Sequence, residues 1–167
     1  MASTPEYTGQ KYIDICHTIK QVAPEVHIHA FTPLEVWQGA HTMGVSVPEF
    51  LGELREAGLG TLPGTAAEIL DDEVRADLCP DKINTAQWFE VMEAAHAQGF
   101  NTTATIMFGH MEEYRHVANH LLRVRALQAK TGAHRIRAFC RSSTMESPVI
   151  LQGRMRARAP SFREAIA

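Results

Sequence analysis

The chain has 167 residues, with 16 Lys+Arg against 19 Asp+Glu for a net charge of −3, and is 45% hydrophobic and 21% charged. That balance excludes a disordered chain and a basic nucleic-acid footprint, and it suffices for one ordinary globular domain. The longest apolar runs fall far short of the roughly 18 residues a membrane helix needs. The opening MASTPEYTGQ lacks the layout of a signal peptide, so a cytoplasmic location with no membrane or nucleic-acid partner is expected.

From Gly9 to Val22, Tyr12, Ile13, Cys16, Ile19 and Lys20 fall at helical spacing, and Pro24 ends the helix. Val26 to Phe31 is short, β-branched at its start and alternating, which predicts a strand. Thr32, Pro33 and Glu35 then supply a cap, a proline at the first helical position and an acid three beyond the cap. That helix should run to about Thr42, with Gly44 as its stop. Ser46 and Glu49 form a second capping box ahead of Phe50, Leu51 and Leu54, closed by Gly58.

Leu59 to Pro63 reads as a short strand opening into Gly64-Thr65-Ala66-Ala67-Glu68. Asn84 and Gln87 resemble a third box before Trp88, Val91, Met92 and Ala95, with Gly99 as the stop. Thr102 to Phe108 is a predicted strand. Met111 to Lys130 is a predicted helix with Val117, Leu121, Val124 and Leu127 on one face. This alternation predicts an α/β fold of parallel strands with helical crossovers, either an open doubly wound sheet or part of a barrel.

In such folds chemistry gathers at the carboxyl ends of strands. His27, His29 and Phe31 share one strand face and Ile28 and Ala30 the other, so both imidazoles are either hydrogen-bonded core groups or liners of a ligand pocket. The turn Gly64–Glu68 lets a backbone approach a ligand, with Glu68 placed to accept from an ammonium or hydroxyl group. It is equally readable as a tight turn with an acid in the first turn of a helix. Thr103, Thr105 and Met107 share a face ahead of Gly109 and His110. His27 and His29 with His110 also invite a divalent-metal hydrolase reading, against which no Asp stands at the other strand ends. His96, His116 and His120 lie inside predicted helices and read as surface or packing residues. Cys16, Cys79 and Cys140 have no close spacing of the kind that zinc or iron–sulfur loops need.

The runs HIHAFTPLEVWQGAHTMGVS, AGLGTLPGTAAEILDDEVRADLCPDKINT and TTATIMFGHMEE closely resemble the second-subunit or C-terminal half of FO synthase, a radical S-adenosylmethionine (SAM) family. The likeness runs from about Tyr7 to Gly132 and resumes from Met145 to Glu164. It implies the later half of a partial, TIM-like (β/α) barrel. In the family a 4Fe-4S cluster cleaves SAM, a radical fragments tyrosine, and the 4-hydroxybenzyl unit joins 5-amino-6-(D-ribitylamino)uracil on the way to the deazaflavin coenzyme F-420. The cofactor carries the difficult chemistry and the protein supplies orientation. By position, the resemblance makes His27, His29, Gly64, Thr65, Glu68, Thr105 and His110 substrate- or SAM-lining residues, with no metal ligand among them and no assignment of residue to ligand.

This chain departs from the family in two places. The family's CxxxCxxC loop is absent, and a complete core of this type needs on the order of 200 residues or more. A fragment, inactive alone, is therefore expected, completed by a missing N-terminal half or the first FO synthase subunit. Open strand edges and bare helix faces would make it poorly soluble or partner-dependent. A non-catalytic remnant is the other alternative. The second departure is Ala133 to Thr144, AHRIRAFCRSST, where the family has an apolar strand resembling GFTEFVPLPFVH. Arginines are foreign to the central strand of a parallel sheet. Codons for Thr-Glu-Phe-Val-Pro read two bases on give Arg-Ile-Arg-Ala, which is Arg135 to Ala138. The chain thus divides into a barrel piece at 1–132, an out-of-frame segment at 133–144 with loss of the strand near Phe139, and a family tail at 145–167.

Overall fold

A computed structural model describes residues 7–132 and 135–143. The element order is α1 (Gly9–Val22), β1 (Ile28–His29), α2 (Pro33–Met43), α3 (Val47–Glu56), β2 (Leu59–Leu62), α4 (Asp72–Leu78), α5 (Thr85–Ala97), β3 (Asn101–Phe108), α6 (Tyr114–Lys130) and β4 (Ile136–Ser143). All neighbouring strands pair in parallel, in the sequential order β1-β2-β3-β4. The α/β class expected from the alternation is what the chain adopts.

Local chemistry sets the helix starts. Thr32, Ser46 and Asn84 each accept from the backbone three residues on, while Glu35, Glu49 and Gln87 reach back to the cap amide, so all the expected boxes close. At the end of α2, Gly44 turns left-handed at φ 69° and its N–H returns to the carbonyls of Ala40 and His41.

The first two strands are shorter than expected for physical reasons. β1 stops at His29 because Phe31 turns to φ 64° and Thr32 is already a helix cap. β2 ends at Leu62, before Pro63, which has no N–H for a ladder. Helix α6 begins at Tyr114 rather than Met111, because the Glu112 carboxylate turns back onto the amides of Gly109 and His110.

Two elements escape the sequence reading. Asp71 accepts from the Glu73 amide and starts the seven-residue α4. The expected loss of a strand near Phe139 is also corrected. The backbone of Ile136–Ser143 pairs in parallel with β3, from Thr102 opposite Ile136 to Phe108 opposite Ser143. Ladder bonds run between backbone amides and carbonyls, so side-chain composition does not forbid them.

The helices share the core through neighbouring buried clusters. Tyr12, Val36, Phe50, Leu51 and Leu54 pack with Leu59, Leu62 and Val91. Trp88, Met92, Val124 and Leu127 pack with Ala104, and Ile69, Val74 and Leu78 with Ile106. Along β3, Thr102, Ala104 and Ile106 are buried while Thr103, Thr105 and Met107 on the other face are half-buried. The alternation expected for this strand therefore holds. No helix among the described residues is long and apolar enough to cross a membrane.

Candidate functional site at the strand ends

The carboxyl end of β2 is clamped onto β3 through Gly64. Its N–H donates to Thr103 Oγ1 at 2.9 Å, and Thr105 Oγ1 donates to its carbonyl at 2.9 Å. A Cβ on Gly64 would lie 2.0 Å from the Thr103 carbonyl oxygen, so glycine is required by contact with another backbone. Gly64→Ala is expected to destabilise the chain by about 2–3 kcal/mol, read as a lower urea midpoint by far-UV circular dichroism. An unchanged midpoint would show that β2 and β3 can part at no cost. The structure thus joins two of the expected site residues, Gly64 and Thr105, to each other.

After Gly64 the chain takes left-handed conformations at Ala66 (φ 60°) and Glu68 (φ 42°), which cost non-glycine residues roughly 1–2 kcal/mol each. The surroundings hold this shape firmly. Arg75, buried at 3% exposure, donates to the carbonyls of Ala66, Ala67, Ile69 and Ile83. The Met107 amide donates to the Glu68 carbonyl at 2.8 Å, and the Trp88 indole donates to the carbonyl of exposed Thr65 at 3.4 Å. The loop presents the Glu68 carboxylate, whose Oε1 pairs with Lys82 Nζ. Its Oε2 is buried and meets no hydrogen-bond donor.

At β1, His27 and His29 are exposed rather than core residues. His27 Nε2 and His29 Nδ1 lie 2.8 and 2.7 Å from the same Thr61 hydroxyl. A hydroxyl has one proton, so it donates to at most one ring and accepts from the other. The two imidazoles are thereby coupled in tautomer.

At the end of β3, His110 packs its side chain fully, with Nε2 3.1 Å from the Met107 carbonyl and Nδ1 2.8 Å from Glu112 Oε2. Both ring nitrogens are thus occupied inside the turn. Burial opposes ionisation of Glu112, but the His110 ring beside it and the hydrogen bonds from the Gly109 and His110 amides outweigh it and hold its carboxyl at about 2. Glu112, Lys82 and Arg75 were missed in the sequence, although all three lie within the family-like runs.

Among the described residues, the acidic and histidine groups that approach as a possible metal set are Asp71, Glu73 and His116, with ligand atoms within 4.8 Å of one another. His27, His29 and His110 do not form such a set, which overturns the metal-hydrolase reading. Nor does the first set suit an ion. The Glu113 amide donates to His116 Nδ1 at 2.9 Å, which puts the ring proton on Nε2 and leaves no lone pair there. Arg115 already forks onto both Glu73 oxygens at 2.8 Å, and this ion pair drives the exposed Glu73 carboxyl down to about 2. The cluster ties α4 to α6.

His96, His116 and His120 are all buried packing residues. A surface cleft of about 660 Å³ lies between α5 and α6, lined by Glu90, Glu93, His96, Lys130 and Thr131, on the helical layer. Lys130 sits 2.8 Å from both Glu93 oxygens within it.

No family model matches the chain. Curated relatives do. It is 50% identical over 121 residues to the 5-amino-6-(D-ribitylamino)uracil–L-tyrosine 4-hydroxyphenyl transferase of Archaeoglobus fulgidus, covering 72% of this chain and 35% of the relative. It is 40% identical over 160 residues to the Methanocaldococcus jannaschii protein of the same name, covering 95% of this chain and 44% of that one. Against the Methanothermobacter thermautotrophicus protein the figures are 49% over 121 residues, 72% and 33%. The chain spans between a third and a half of the length of these relatives. By sequence, therefore, the chain is similar at 40–50% identity to part of the length of proteins named 5-amino-6-(D-ribitylamino)uracil–L-tyrosine 4-hydroxyphenyl transferase.

Proposed function

We propose that this chain is the substrate-lining part of a cytoplasmic radical-SAM 4-hydroxyphenyl transferase, an arc of a TIM-like barrel acting on L-tyrosine and 5-amino-6-(D-ribitylamino)uracil. The single observation that carries the reading is the position of His29, Glu68 and His110 at the carboxyl ends of three adjacent parallel strands. Sequential order with no reversal is the winding a barrel requires. The chain's own residues would bind and orient the substrates: Gly64 and Thr105 fix the loop, Glu68 and the His27–Thr61–His29 group offer polar contacts, and Glu112 braces the turn at His110.

Cys16 and Cys79 do not fit a 4Fe-4S cluster. Cys16 and Cys79 belong to separate buried clusters, and burial pushes both thiols above their usual range, whereas iron binds thiolates. A cluster in this reading is held by polypeptide beyond this chain, either an N-terminal half or a first FO synthase subunit. Calorimetric titration with each substrate tests the proposal. The chain should bind both saturably, yet form no coupled product when given SAM and a reductant alone. Failure to bind either substrate, or turnover by the chain by itself, overturns it.

A further inference from the structure

Glu68 is delivered by a loop that its own residues would not adopt unforced, with left-handed backbone at Ala66 and at Glu68 itself. Arg75 beneath and Gly64 beside it leave the loop little freedom to relax. One carboxylate oxygen is engaged by Lys82, and the other is buried without a donor. Leaving such an oxygen bare is costly, so a rigid loop that keeps it bare marks a place for a donor from outside. A carboxylate oxygen only accepts, and the occupant must therefore bring an N–H or O–H.

Charge decides which kind. The Lys82 ammonium already neutralises Glu68, and the buried guanidinium of Arg75 lies on the carbonyls of Ala66 and Ala67 just behind it. Asp72, 4.0 Å from Arg75 Nε, has a 59% exposed side chain and is screened by water. Asp81, which shares this group of charges, is exposed to water, so a substrate ammonium would be a third cation beside Lys82 and Arg75 at a carboxylate already paired. A neutral hydroxyl or a ureide or ring amine N–H meets no such repulsion. We propose that Glu68 Oε2 receives a hydrogen bond from the neutral, polyhydroxylated ribitylaminouracil substrate rather than from the ammonium of the amino acid. Lys82 sets that preference by bringing the net charge of the Glu68–Lys82 pair to zero. The inference rests on the substrate-lining reading above.

The test uses the whole chain and calorimetric titration with 5-amino-6-(D-ribitylamino)uracil and, separately, L-tyrosine, at equal folded fraction by circular dichroism. Glu68→Gln should weaken ribitylaminouracil binding at least tenfold and leave L-tyrosine binding as it was. Lys82→Gln, which unmasks the carboxylate, should strengthen L-tyrosine binding at least threefold. If Glu68→Gln binds ribitylaminouracil normally, or loses L-tyrosine instead, this assignment falls while the substrate-lining reading stands. Wild-type chain that binds neither compound overturns both. Should Glu68→Gln fail to fold, Lys82→Gln decides alone, and unchanged L-tyrosine affinity overturns the inference.

Discussion

Arg75→Met is expected to lower stability by ~3–5 kcal/mol, the range for stranding the partners of a buried charge. The guanidinium is almost wholly enclosed and its donors are spread over the carbonyls of Ala66, Ala67, Ile69 and Ile83. Methionine fills similar volume and avoids the desolvation of a charge, which offsets part of the loss. It gives nothing back to the carbonyls, which face the interior. Arg75→Lys should fall between wild type and Met, because one ammonium cannot span a fork that reaches both sides of α4. Urea denaturation followed by circular dichroism measures the difference. A Met variant within ~0.5 kcal/mol of wild type, the usual range for a surface substitution, would mean that the loop is held by its other contacts alone. On the assignment proposed for Glu68, the same variant should also weaken ribitylaminouracil binding, since Glu68 depends on the loop for its position.

What the sequence discloses follows from the range of the forces involved. Capping boxes at Thr32, Ser46 and Asn84 are legible because donor and acceptor lie three residues apart, and the α2 stop at Gly44 because only glycine turns left-handed without strain. The alternation along β3 is equally plain, and its polar face is where Thr103 and Thr105 meet Gly64. Their role, however, is visible only in three dimensions: the threonines fasten a neighbouring strand end, a contact spanning some forty positions of chain. Arg75 and Lys82 look like ordinary surface charges in a polar stretch, and only folding buries one and turns the other onto Glu68. α4 is short and starts from an acidic triplet, so no apolar period announces it. β4 is hidden for the opposite reason, since its side chains argue against a strand that its backbone nonetheless forms.

Acid should destabilise the chain well before its carboxylates titrate. Burial lowers both His96 and His120 to about 4, helped at His96 by Arg135 and at His120 by Arg75 and Arg123. Thr131 spends its hydroxyl proton on the Leu127 carbonyl, so His96 Nδ1 donates to Thr131 and Nε2 accepts from Thr102. The buried ring is thereby committed to its neutral form. In the unfolded chain a histidine takes up its proton near pH 6.5, and the folded chain resists until about pH 4. Between those values the unfolded state binds more protons, so stability rises with pH and is lost as pH falls from 6.5 to 4. Each histidine contributes about 3 kcal/mol to that loss. Glu112, held at about 2, adds its own loss only below the usual glutamate range, so the two windows separate. Urea midpoints at pH 7, 5.5 and 4 should therefore fall steeply. In His96→Gln, whose amide reproduces one donor and one acceptor without titrating, the fall should be shallower by about 3 kcal/mol. A wild-type midpoint that is flat from pH 7 to 4 would mean that His96 and His120 are free to take protons in the folded chain, and the packing of α5 and α6 against β3 described above would have to be wrong.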